Sequence, residues 1–221
     1  RVVVQSMPGM QSAALTLMIP AGSVYDPDGK AGTTAILSEI FSRGAGDLSA
    51  RELSSAFDNI GLQRSVSGGV GYVTVSAATT AYRILDAVPL IAKMLLKPHI
   101  TPENFAPSRE LVHQALNAME DEPKQRLGQY LRRCSYPTPF SNPSEGTMED
   151  LPNVSIADVQ SHFDSLIIPN DAVLGIAGNV DSAEIQQALA DAFGSWKPGT
   201  PRQLIAGAVT PSPMHIEHDS A

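Results

Sequence analysis

A single cysteine, Cys134, is all the thiol chemistry available to this chain of 221 residues. One cysteine closes no intrachain disulfide and builds no Cys-rich zinc site. In a stretch of helical pattern it reads as a small core hydrophobe, and it requires neither an oxidising nor a reducing compartment. Basic residues are scarce too: 15 Lys and Arg against 23 Asp and Glu leave a net charge of -8. Phosphate binding needs clustered Lys and Arg, so the balance argues against a nucleic-acid surface. Long apolar runs are missing as well; none approaches the ~20 residues of a membrane-spanning helix. The opening Arg1-Val2-Val3-Val4 lacks the layout of a signal peptide. With no initiator Met and a strand pattern from the start, the chain reads as processed or cut from something longer.

What is present suits an ordinary folded domain: 43% apolar and 17% charged residues, enough to bury a core without disulfide or metal staples. Val2 to Gln5 and Ala13 to Ile19 read as strands. Ala21 to Gly29 is a loop dense in turn residues. Gly32 to Ser42 has Ile36, Leu37, Ile40 and Phe41 at helical spacing, and Gly44 is suited to closing that helix. Ser49 with Glu52 forms a capping-box signature ahead of Leu53, Ala56, Phe57 and Ile60. Leu62 to Ser67 and Tyr72 to Ala78 are strands split by Gly68-Gly69-Val70-Gly71. Thr80 to Leu96 is an amphipathic helix with Ile84, Leu85, Val88, Ile91, Ala92 and Leu95 inward and a kink expected at Pro89. Thr101-Pro102 starts another helix to about Met119, and Lys124 to Cys134 is helical after Pro123. A Pro- and Gly-rich loop over Ser135 to Asn153 leads to a helix capped by Ser155. An apolar strand follows over Ala172 to Ala177, then a helix from Ala183 to Phe193 capped by Asp181 or Ser182, with Trp196 packing on its end. Strands occurring singly or in pairs between helices predict an α+β two-layer sandwich, its sheet mixed and mostly antiparallel, with helices on one side.

Taken in order, several segments resemble the pitrilysin-like (M16, insulinase) peptidases, which include the mitochondrial processing peptidase. Ala21-Gly22-Ser23-Val24-Tyr25-Asp26 is similar to the family's "aGSr-E" loop, and Leu48-Ser49-Ala50-Arg51-Glu52-Leu53 to its "-sa-eL" helix start. Met94-Leu95-Leu96-Lys97-Pro98 resembles "ml-nP", and Glu120-Asp121-Glu122-Pro123 resembles "-ed-P". Asn142 to Met148 is similar to the "hPl-r-ilGt" loop, and Pro169 to Val180 to "tPdNmvlavaGdvd". Shared order and spacing make the set more specific than any fragment.

In active members the helix at Gly32 to Gly44 carries His-x-x-Glu-His, whose two His bind zinc while the Glu activates the bound water. A Glu on a later helix is the third ligand. Aligned on Gly32 and Gly44, the resemblance puts the first His at Ala35, the catalytic Glu at Ser38 and the second His at Glu39. The distal ligand falls at Ala115. Ala35 and Ala115 have no donor atom, Ser38 is a poor general base, and Glu39 alone does not hold zinc. The resemblance therefore implies no catalytic residue, no cofactor and no metal at these degenerate positions. It implies a non-catalytic M16 subunit that completes a peptidase chamber and helps hold extended peptide. The partner would be a catalytic M16 subunit carrying His-x-x-Glu-His, or a second copy of the chain. An M16-like domain is expected over residues 1–198, with 199–221 as linker and the start of a second half. The alternatives are an active zinc metalloendopeptidase with an unrecognised site, and a structural scaffold like the core subunits of the bc1 complex. Neither membrane span nor nucleic-acid partner is expected, and a bacterial periplasm or cytoplasm is preferred to a mitochondrial matrix.

Other candidates have plainer readings. His113 lies two residues from Ala115, on a different face of the helix, and reads as a surface histidine. His162 beside Phe163 reads as structural. His215 and His218 read as exposed terminal residues. Gly68 to Gly71 lacks the Lys-Ser/Thr of a phosphate loop and reads as a relaxed hairpin turn. Glu120-Asp121-Glu122 reads as a solvated helix end. Tyr72 to Ala78 is the expected free sheet edge that an added peptide strand would use.

Overall fold

The computed structural model describes residues 1–208. Within them one five-stranded sheet runs β1(Val2–Ser6), β7(Val173–Gly178), β2(Ser12–Ile19), β6(Val73–Thr80), β5(Gln63–Gly68) from edge to edge. β1 lies parallel to β7 and every other pairing is antiparallel, which makes the sheet mixed. Period-two alternation decides its faces. Ala13, Leu15, Leu17 and Ile19 of β2, Val73, Val75 and Ala77 of β6, and Leu174 and Ile176 of β7 are all buried. The intervening Ala14, Thr16, Ser76 and Ala78 share the other, more open face. The architecture is thus the α+β sandwich that the pattern of elements predicts.

The helices are α1(Thr33–Ile40), α2(Ala50–Asn59), α3(Ile84–Leu96), α4(Pro102–Glu120), α5(Pro123–Ser135), α6(Ile156–Leu166) and α7(Ser182–Phe193). A two-residue pair, β3(Gly44–Ala45) and β4(Leu48–Ser49), joins α1 to α2. The Ser49–Glu52 capping box forms, with Glu52 N donating to Ser49 Oγ at 3.3 Å and Ser49 N to the Glu52 carboxylate at 2.9 Å. Asp181 caps α7 through the Ala183 and Glu184 amides. Trp196 packs on Phe193 with ring centroids 5.7 Å apart and donates to the Ile167 carbonyl.

Several expectations change. Tyr72 to Ala78 is no free edge: β6 is paired on both sides, to β2 and to β5, so its backbone groups are spent. Among the described residues the free edges are β5 and β1. α1 stops at Ile40, and Gly44, at φ 108°, opens β3 rather than closing the helix. Residues 81–83 form a 3-10 turn before α3, and Leu85, expected inward, is exposed. Pro89 lies inside α3 on its exposed side without ending the helix. Cys134 is half-exposed on α5, a helix with no buried residue, so it is not a core hydrophobe. His215 and His218 lie outside the described residues.

Candidate functional site

α1 is held at its N-terminus by a residue outside the helix. Its N-cap, Gly32, sits at φ 111°, a conformation glycine adopts without strain, and supplies no side-chain cap. The orphan amides are satisfied by Asp26, whose carboxylate accepts from Gly32 N at 2.8 Å, Thr34 N at 2.9 Å and Thr34 Oγ1 at 2.6 Å. A negative charge there is also favoured by the helix dipole. Gly146 lies so close to Gly32 that a Cβ would sit 2.6 Å from the Gly32 Cα.

The network continues to α6. His162, 3% exposed, has Nε2 at 3.1 Å from Thr34 Oγ1 and 3.3 Å from the Ala21 carbonyl. Thr34 gives its hydroxyl proton to Asp26 over the shortest contact, so His162 Nε2 is the donor in the pair. Burial pushes Asp26 up from the usual carboxyl range to about 6, against the pull of its hydrogen bonds. Burial pushes His162 down to about 4, with the Ala21 bond opposing and the Arg202 charge adding a little. The nearby ion pair of Lys30 with Asp158 fastens the approach to α1 onto the first turn of α6. His162 is structural, as its setting beside Phe163 indicates; the sequence gives no sign that it shares Thr34 with Asp26, since Thr34 and His162 are 128 positions apart.

The four positions that the resemblance singles out fall as follows. Ala35 is half-buried on α1, Ser38 is buried and Glu39 is exposed. The Ser38 hydroxyl donates back to the Thr34 carbonyl at 2.9 Å, a bond inside its own helix. Ala115 is exposed on α4, beside the buried stripe of Ser108, Val112 and Leu116. α4 packs along α1. His113 is half-buried, with its Nδ1 in contact with Asn117 at 3.2 Å. As a zinc donor set the four side chains do not fit: two are methyl groups, one is a back-bonded hydroxyl and one is a lone carboxylate. Among the described residues, no three His, Cys, Asp or Glu come together as a ligand cluster.

The edge strand β5 ends on α1. A Cβ at Gly68 would lie 2.7 Å from Thr34 Cγ2 and 3.0 Å from Ser38 Oγ, so glycine is what permits this approach. The hairpin tip after β5 is not loose. Ser23 and Val24 donate backbone bonds to Gly69 and Val70, each at 3.0 Å, and a Cβ at Gly22 would collide with the Val70 carbonyl oxygen at 2.4 Å. The loop, the helix start and the open strand are thus one continuous unit.

The loop, helix and edge strand sit in an α+β sandwich with a mixed five-stranded sheet, and family models assign it further. The model for insulinase (peptidase family M16) matches residues 1–147, and the model for the peptidase M16 inactive domain matches residues 153–219. The chain belongs to the M16 family. An uncharacterized zinc protease of Mycobacterium leprae is 25% identical over 202 residues, covering 88% of this chain and 44% of that protein. The uncharacterized zinc protease YmxG of Bacillus subtilis is 23% identical over 198 residues, covering 89% of this chain and 48% of that protein. The chain therefore spans about half the length of these relatives. Among solved structures, a peptidase M16 inactive domain from Pseudomonas fluorescens superposes with TM-score 0.82 at 14% identity, over 93% of this chain and 51% of that one. Pitrilysin superposes with TM-score 0.83 at 20% identity, over 95% of this chain and 23% of that one. At such identities the structural likeness speaks for the fold.

Proposed function

We propose that this chain is part of a non-catalytic M16 subunit, one that completes a peptidase chamber and helps to hold extended peptide beside a zinc-bearing partner. The observation that carries the reading is the contact of β5 with α1. An open strand edge, paired only with β6 among the described residues, runs onto the helix face where Ala35, Ser38 and Glu39 stand in for His, Glu and His. An edge of this kind offers unpaired backbone donors and acceptors to an incoming extended chain. β5, not β6, takes the role of the receiving edge. The hydrolytic chemistry would come from the partner, because this donor set does not bind and activate water through zinc. The division into a domain over residues 1–198 and a linker over 199–221 belongs to the same proposal.

The test uses the full-length protein and an M16 chain from the same genome that carries an intact His-x-x-Glu-His. The expected result is co-purification of the two and peptide hydrolysis by the mixture well above that of the partner alone. A partner whose activity is indifferent to this chain, or isolation of this chain within a membrane complex, would speak for the scaffold reading instead.

A further inference from the structure

A buried acid, a buried hydroxyl and a buried imidazole meet at the start of α1, and their contacts allow two complete sets of hydrogen bonds. Asp26 Oδ2 accepts from the Gly32 amide, while Oδ1 accepts from both the Thr34 amide and the Thr34 hydroxyl. Amide donors are fixed in direction by the backbone, whereas a hydroxyl rotates and accepts as readily as it donates. A proton added to Asp26 therefore has one place to go. On Oδ2 it would face the Gly32 N–H. On Oδ1 it points along the 2.6 Å contact to Thr34 Oγ1, once the Thr34 hydroxyl has turned away.

Two acceptors lie within reach of the turned hydroxyl: the Ala21 carbonyl at 3.3 Å and His162 Nε2 at 3.1 Å. The imidazole accepts only if its own proton moves to Nδ1. That nitrogen has no hydrogen-bond partner among the described residues, so the tautomer would bury an unpaired N–H. The Ala21 carbonyl needs no such rearrangement. While Thr34 points at Asp26, the one side-chain donor to this carbonyl is His162 Nε2, at 3.3 Å and shared with Thr34 Oγ1. A carbonyl has a second lone pair to offer. We infer that the Thr34 hydroxyl is a two-position switch, turned toward Asp26 when that carboxyl is ionised and toward the Ala21 carbonyl when it carries a proton. The balance is one proton: solvent supplies it to Asp26 Oδ1, which donates to Thr34 Oγ1, and Thr34 keeps its own proton and presents it to Ala21. Ala21 opens the loop whose Ser23 and Val24 amides hold the hairpin tip at Gly69 and Val70, so the switch links the charge at the start of α1 to that loop. Among the described residues no charged side chain pairs with the Asp26 carboxylate. The groups around it are Tyr25, Asp28 and Lys30 on its own loop, Glu145 and Asp150 on the loop packed against Gly32, Asp158 and His162 on α6, Tyr72 beside the hairpin tip, and Arg202, which donates to the Tyr25 carbonyl. Lys30 is spent on Asp158. Burial, rather than a neighbouring charge, lifts the carboxyl to about 6, which brings the switch close to neutral pH.

Carbon and nitrogen NMR of the isotopically labelled full-length protein, titrated from about pH 8 to about pH 5, tests this. The Asp26 carboxyl carbon and the Ala21 carbonyl carbon are expected to shift with one common midpoint near 6, the Ala21 signal moving downfield in acid as the carbonyl gains a hydrogen bond. The His162 ring is expected to keep its proton on Nε2 through that midpoint. Thr34→Ser retains the hydroxyl and should retain the joint titration. Thr34→Val, checked for native circular dichroism, removes the hydroxyl; Asp26 should still titrate while the Ala21 carbonyl stays flat. A wild-type Ala21 carbonyl that does not follow Asp26 overturns the inference, and that result needs no variant. An Asp26 carboxyl that keeps one charge state across the range overturns it too, as does a full Ala21 response in Thr34→Val. Transfer of the imidazole proton from Nε2 to Nδ1 at the same midpoint overturns it in favour of a relay into the ring.

Discussion

α1 and α5 are two short helices with apolar residues at helical spacing, and they end in opposite circumstances. α1 buries six of its eight residues and is clamped by Asp26 and His162, by Gly146 and by the end of β5. α5 buries none and rests on α4 through polar side chains. Periodicity reports that a helix has a face; it does not say whether this molecule or another one covers it. The contrast also separates two kinds of dependence. Stability is expected to rest on α1 far more than on α5.

The comparison is sharpened most by truncating a core side chain beside α1. Phe41→Ala removes a fully buried ring that packs near Phe163, and should cost about 3–5 kcal/mol in denaturant-unfolding free energy. The next effect depends on pH. Asp26 has a folded pKa of about 6, above the usual carboxyl value, so its contribution is present below about 4 and is lost as pH rises through about 6. His162 has a folded pKa of about 4, below the usual imidazole value, so its contribution is present above about 6.5 and is lost as pH falls through about 4. The two slopes oppose each other between about pH 4 and 6, and unfolding free energy should be nearly flat there. Asp26→Asn should leave stability rising with pH across that window and His162→Gln should leave it falling, each by up to about 3 kcal/mol at roughly 1.4 kcal/mol per pKa unit. Parallel slopes in the two variants would break the account of a shared Thr34.

Smaller effects follow. Gly68→Ala pushes a methyl group against Thr34 and Ser38, and an overpacking cost of about 1–3 kcal/mol is expected by thermal unfolding. Leu131→Ala on α5 should fall within about 0.5 kcal/mol of wild type when unfolding is measured on dilute monomer. A cost comparable to that of Phe41→Ala would mean that α5 is integral to the core and would erase the contrast.

The sequence made the local features legible. The Ser49–Glu52 capping box, the Asp181 cap, the buried stripe of α1 and the packing of Trp196 all depend on residues close in the chain. What eluded it depends on distance. The position of β6 is set by simultaneous pairing with β2 and β5, which alternation within Tyr72 to Ala78 does not encode. The Asp26–Thr34–His162 network joins a loop, a helix and a second helix, and the hairpin tip at Gly69 and Val70 docks on Ser23 and Val24, far upstream. Cys134 and Leu85 carry the right periodicity and still face outward, because only the packed neighbours decide which face is covered. The candidate site was legible only through motif order: nothing in the spacing of Ala35, Ser38, Glu39 and Ala115 marks them, and the donor atoms they lack become meaningful once α1 is seen beside an open strand.

In the proposed role α1 supports a chamber without doing its chemistry. The direct measurement is zinc content, by elemental analysis of the purified full-length protein, paired with hydrolysis of a quenched fluorescent peptide by that protein alone. Far less than one zinc per chain and no hydrolysis above background are expected. Stoichiometric zinc with turnover that a chelator abolishes would contradict it.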